Sequence, residues 1–150
     1  MLNAAFSGVY PATADDKGRI HVPSAISREV ADDETMMLAI QSDGAHESLI
    51  AFTRPAYLAM LSDLKERGKT DRELRQRLKG LVERFYPSTI KSGKLLIPQE
   101  IRKSFKLKKN VQMVGAVDHI EIWDEAAWAV KNGDKGIRLM RDDLDELGIL

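Results

Sequence analysis

The sequence predicts an α+β protein in which one small β-rich unit is written twice and flanked by helices. Three observations carry that prediction: a glycine, base, apolar, any, apolar, proline pattern that recurs 75 residues later, alternating apolar residues after each glycine, and capped apolar stripes at helical spacing. At 150 residues the chain has room for one ordinary domain, or for two small modules that share a core because neither buries enough surface alone.

The first copy runs Asp16-Lys17-Gly18-Arg19-Ile20-His21-Val22-Pro23 and continues to Ile26; the second runs Lys91-Ser92-Gly93-Lys94-Leu95-Leu96-Ile97-Pro98 and continues to Ile101. A second landmark repeats at an offset of 71, where Ala51-Phe52-Thr53 matches Ile122-Trp123-Asp124. Gly18 and Gly93 suit a tight turn, and Ile20, Val22, Leu95 and Ile97 then point one strand face inward. Pro23 and Pro98 stand at the start of short helices. Hairpins are expected where Met36–Ile40 and Ser48–Phe52 flank Gly44, and where Val111, Met113, Ile120 and Ile122 flank Gly115–Asp118. Hairpins with short helices suggest a small barrel.

Thr53 and Asp124 are the capping residues of a second helix in each copy, the first carrying Tyr57, Leu61 and Leu64 as a core stripe. Between the copies, Thr70-Asp71-Arg72-Glu73 is a capping-box pattern, opening a helix with Leu74, Leu78, Leu81, Val82 and Phe85 on one stripe. Arg72, Arg75 and Lys79 on its other face are secondary candidates for phosphate contact. Ile137, Met140, Leu144 and Leu147 recur at helical spacing after Lys135, so a final helix in need of a partner surface is expected. The expected division is a first repeat over 1–69, a connecting helix over 70–87, a second repeat over 88–131 and a C-terminal helix over 132–150.

Net charge is zero, but it is unevenly placed. Residues 1–64 hold 4 basic and 9 acidic side chains (net −5), residues 65–110 hold 15 and 5 (net +10), and residues 111–150 hold 4 and 9 (net −5). A basic middle attracts a polyanion locally, although it also suits a solvated helix face. The absence of cysteine excludes disulfides, thiolate catalysis and cysteine-ligated metals, and suits a reducing cytoplasm. The first sixteen residues lack a basic lead-in and no apolar run approaches the roughly 18 residues of a membrane span, so a cytoplasmic protein is expected.

These residues resemble a known family. Asp15-Asp16-Lys17-Gly18-Arg19, followed by a strand and Pro23, is similar to the D-x-x-x-R signature of MraZ proteins. Val114-Gly115, then Ile120-Glu121-Ile122-Trp123-Asp124-Glu125 and Trp128, resembles the segment that closes the second MraZ repeat; the likeness extends from about Phe6 to Trp128. The resemblance implies a tandem, pseudo-twofold AbrB-like fold with swapped-hairpin β-barrel modules and flanking helices, assembled into ring-like homo-oligomers. It also implies a transcriptional regulator, typically a repressor of its own division and cell-wall operon, that sits on repeated promoter DNA sites at the nucleoid.

The second copy departs from the pattern, with Ile90 and Lys94 where Asp and Arg are usual. The first copy is therefore expected to do the base reading. Arg19 suits guanine because its planar fork matches two major-groove acceptors, with Asp15 orienting it through a bidentate pair. Lys17, Lys91 and Lys94 are candidates for sequence-independent phosphate contact. Under the structural alternative, Asp15 and Arg19 only staple a turn.

No spacing organises His21, His46 and His119 into a catalytic or metal set, and no H-E-x-x-H, phosphate loop or nucleophile elbow occurs. No enzyme activity, cofactor, metal, small-molecule ligand or membrane partner is expected. The rival reading is an AbrB-like interaction module without specific DNA reading.

Overall fold

The structure, a computed structural model, describes residues 5–133 and 136–150. Eight strands, β1 (Val9–Thr13), β2 (Arg19–His21), β3 (Thr35–Ser42), β4 (Glu47–Thr53), β5 (Tyr86–Lys91), β6 (Lys94–Leu96), β7 (Asn110–Gly115) and β8 (His119–Asp124), form one antiparallel sheet. Their spatial order is β1-β7-β8-β4-β3-β5-β6-β2. A bridge between Ala14 and Ile20 joins the two edges, so the sheet curls into a nearly closed barrel. Among the described residues six helices accompany it: α1 (Ser24–Ser27), α2 (Arg54–Gly68), α3 (Arg72–Val82), α4 (Gln99–Arg102), α5 (Glu125–Asn132) and α6 (Arg141–Glu146).

Exchanging each strand of one repeat for its counterpart, β1 for β5 through β4 for β8, returns the same order of neighbours. That is a pseudo-twofold relation. The ladders β1–β7, β2–β6, β3–β5 and β4–β8 all join one repeat to the other. Neither repeat closes a barrel by itself, and this interleaving is the swapped architecture of tandem AbrB-like modules.

The expected alternation fills the interior. Ile20 lies opposite Leu95 at the centre of the β2–β6 pair, and both are fully buried together with Met36, Leu38, Leu49 and Ile122. Pro23 and Pro98 take the N-cap positions of α1 and α4, from which Ile26 and Ile101 reach into the same core. A second layer lies outside the barrel wall, where Phe85 packs 6.0 Å from Phe52 and 5.1 Å from Tyr57 of α2. Thr53 and Asp124 cap α2 and α5 as expected, accepting from the N–H groups of Ala56 (3.2 Å) and Ala127 (3.1 Å).

Three local expectations are corrected. The cap of α3 is Asp71, which accepts from Leu74 N–H at 3.0 Å, not Thr70 one residue earlier. Arg75, expected on a free basic face, turns back to donate from one terminal nitrogen to the carbonyl of Gly68 at 2.7 Å and so helps to close the end of α2. At the C-terminus the helix covers only Arg141–Glu146; Ile137 and Met140 precede it and are exposed, while Lys135 lies outside the described residues. A run at helical spacing with no face to bury against has little to hold it in a longer helix.

Truncating the centre of the interleaved core, Leu95→Ala, is expected to cost about 2–5 kcal/mol in urea unfolding. Leu96→Ala, one residue on and exposed, should stay within about 0.5 kcal/mol of wild type. Equal effects at the two positions would contradict the interior assignment of Leu95.

Candidate nucleic-acid interface

Two hairpins hang from opposite ends of the β2–β6 ladder. In the first, Asp15 N–H donates to Arg19 and Gly18 N–H donates to Asp15, leaving Asp16, Lys17 and Gly18 as the loop, with Gly18 at φ +83°. This is a turn of three residues closed by a left-handed glycine. In the second, Ile90 pairs with Leu95 and Lys91 with Lys94, leaving only Ser92 and Gly93, both at positive φ. A two-residue turn of that kind keeps the strands in regular register.

The register corrects the equivalence expected from a constant offset. Ala14, facing Ile20, is the counterpart of Ile90, facing Leu95; Asp15, facing Arg19, is the counterpart of Lys91, facing Lys94. Ile90 is buried in the barrel at 3% exposure, a place no carboxylate would occupy cheaply. The second hairpin is thus one residue shorter, and the position equivalent to Asp15 is held by Lys91. Tyr10-Pro11-Ala12-Thr13 against Tyr86-Pro87-Ser88-Thr89, at an offset of 76, is the signal in the sequence that marks the extra residue.

Asp15 organises the first hairpin with both oxygens. Its Oδ1 accepts from the backbone N–H of Lys17 and of Arg19, each at 2.9 Å, and its Oδ2 accepts from Arg19 Nε at 2.8 Å. The contact is therefore not the expected side-chain bidentate pair: one oxygen shapes the turn, the other holds the guanidinium. With Nε engaged, the two terminal nitrogens of Arg19 form the fork that faces outward, and the side chain is 41% exposed. Lys17 stands exposed at the tip.

Lys91 and Lys94 face each other across the second hairpin, and His21 lies opposite Lys94 on β2. Side chains at directly paired positions share a face, so Arg19, His21, Lys94 and Lys91 form one outward row across β2, β6 and β5. The row connects the sequence-predicted bases, but Lys91 and Lys94 do not join the Asp15–Arg19 loop itself.

One residue at the first hairpin escaped the sequence reading. Arg102, at the end of α4 in the second repeat, donates from Nε to the carbonyl of Ile97 at 3.0 Å and lies across Gly18. Ile97 N–H in turn donates to Gly18 at 2.8 Å, which brings α4 to the loop. Sequence distance hides this neighbour.

The histidines set aside as a catalytic set stay apart in role. His119 stacks on Phe52 at 4.7 Å and bonds Asp118 at 2.8 Å, while His46 lies 6.2 Å from Trp123. Among the described residues, no cluster of three or more metal-ligating side chains occurs and no helix is long and apolar enough to cross a membrane.

The Arg19 backbone N–H is the largest influence on Asp15; burial, the next largest, opposes it, and the Arg19 guanidinium and the Lys17 N–H add to the lowering, which takes the carboxyl from 3.8 to about 2. Because the folded value is depressed, the loop contact is complete above pH 3.8 and is lost as pH falls towards 2. Carboxyl NMR titration should find this low midpoint. Arg19→Ala should raise it only partly, since the Lys17 and residue-19 backbone donors remain; an unshifted midpoint in the native protein would refute the geometry.

A family model described as "MraZ protein, putative antitoxin-like" matches residues 91–130, the second hairpin through most of α5. Proteins named "Transcriptional regulator MraZ" align over nearly the whole chain. The one from Caldicellulosiruptor saccharolyticus is 27% identical over 145 residues, covering 95% of this chain and 98% of its own. That of Finegoldia magna is 27% identical over 147 residues (96% and 99%), and that of Desulfosudis oleivorans 28% over 151 residues (96% and 99%). The chain is thus similar to MraZ proteins over nearly its whole length, and its second repeat matches the MraZ family model.

Proposed function

We propose that the protein is a sequence-specific DNA-binding transcriptional regulator, a repressor of its own division and cell-wall operon acting at the nucleoid. The observation that carries this reading is the Asp15–Arg19 hairpin, in a chain whose near full-length relatives are named transcriptional regulators. A guanidinium held through Nε presents its terminal nitrogens in a fixed direction, which suits the O6 and N7 acceptors of guanine. Lys17 at the tip supplies a phosphate contact, and Lys91 and Lys94 supply weaker ones from the second hairpin. Placing two lysines directly opposite each other is mildly unfavourable to the hairpin, a cost that a neighbouring phosphate would offset.

The protein acts as a ring-like homo-oligomer, each subunit bringing one reading hairpin to a repeated promoter site. Support comes from apolar side chains left exposed near the C-terminus, among them Ile137 at 96%, Leu139 at 77% and Leu147 at 73%. Surfaces of that kind are commonly covered by another subunit.

Wild-type protein should prefer duplex DNA from upstream of its own operon over random duplex, with affinity falling as salt rises. Arg19→Ala should remove most of that preference, costing about 1–3 kcal/mol on the cognate site and much less on random DNA. An interaction module without base reading would show equal binding to both duplexes and no change on substitution. Light scattering should give a multiple of the 16.8 kDa chain mass; a monomer would remove the ring from the proposal.

A further inference from the structure

We propose that Arg102 and Lys106, both from the second repeat, form a DNA phosphate site alongside the reading hairpin of the first. The proposal rests on that hairpin facing DNA. A cleft of about 270 Å³ separates the hairpin from the segment after α4, with Asp15, Asp16 and Gly18 on one wall and Arg102 and Lys106 on the other. The Nε bond to Ile97 fixes the Arg102 side chain across the loop, where a Cβ on residue 18 would come within 2.7 Å of its Cδ and Nε. Glycine thus serves two needs, the positive φ of the turn and the close passage of the guanidinium.

Among the described residues, the Arg102 side chain forms no ion pair and no hydrogen bond beyond that to Ile97, so its terminal nitrogens are unspent. Asp15 is already matched by Arg19. That leaves Arg102 and Lys106 against Asp16 among the charged residues lining the cleft, a net positive charge that favours an anion there. The pseudo-twofold relation supplies the control: the counterpart of Arg102 is Ser27, and the open space around Gly93 has nothing within 4 Å of a Cβ. Only the hairpin with the locked Arg19 receives a second guanidinium. Next to a base-reading residue, the anion that fits is a backbone phosphate of the same duplex.

Arg102→Gln and Lys106→Gln, made singly in the full-length protein, test the site by fluorescence anisotropy against upstream and random duplexes over a salt series. Each should weaken both duplexes several-fold by a similar factor, and each should reduce the slope of log affinity against log salt by about 0.9. Arg102→Lys should restore the slope. An unchanged slope, or a loss confined to the upstream duplex, overturns the phosphate assignment. A loss that follows a fall in melting temperature and is not restored by lysine assigns Arg102 to loop support alone and likewise overturns it. Absence of sequence preference in wild type defeats the regulatory reading instead, while the slope on random DNA still decides the site; wild type that binds neither duplex defeats both.

Discussion

Pairing of β2 with β6 is the constraint on which the rest of the molecule depends. It is only three residues long, yet it joins the edge strand β2 to the rest of the sheet, buries Ile20 against Leu95 and carries a hairpin at each end. Two symmetry-related bonds extend it, Val22 N–H to Gly93 and Ile97 N–H to Gly18, so each repeat's strand end supports the other repeat's turn. Every strand pairs at least once with a strand of the other repeat, which satisfies backbone donors and acceptors that its own repeat leaves open. A separated repeat would expose both its apolar face and its strand edges, which is why the duplication behaves as one folding unit.

Within that frame, a single added residue decides what each hairpin can do. The shorter turn puts Ile90 in the core and places two lysines at the tip, where neither has an acid to orient it. The longer turn keeps Asp15 opposite Arg19 but brings the Lys17 and Arg19 N–H groups round to it, so its oxygens accept from three donors and hold Arg19. Loss of an acid from a conserved geometry would have been a change of side chain. Here the change is one of backbone path, and the side-chain chemistry follows from it.

Much of this was legible from residue pattern. Alternation after Gly18 and Gly93 located the core strands, and Thr53 and Asp124 identified themselves as caps because each precedes an apolar stripe by the right interval. Other features depended on information a pattern does not carry. A constant offset absorbs a one-residue insertion silently, so Asp15 was set against Ile90 although Ala14 occupies the matching site. At α3 both Thr70 and Asp71 are good caps, and the choice between them lies in backbone dihedrals at Asp71. Arg102 is 84 residues from Gly18 in the chain, and only the interleaved topology makes them neighbours. The C-terminal stripe shows the converse: spacing promised a longer helix, but Ile137, Met140 and Leu147 are left exposed.

Inequality of the hairpins also bears on how the proposed DNA sites must be arranged. A pseudo-twofold subunit with two equal reading hairpins would address both strands alike and suit an inverted site. With the guanidiniums concentrated on one hairpin, a subunit has a single polarity on the duplex. In the proposed ring, subunits related by rotation would all present that hairpin in the same sense, because a cyclic assembly repeats one heterologous contact. Successive contacts along one face of DNA then fall on sites of the same orientation, spaced by the separation of neighbouring subunits. Direct repeats, not palindromes, are the arrangement that this asymmetry favours.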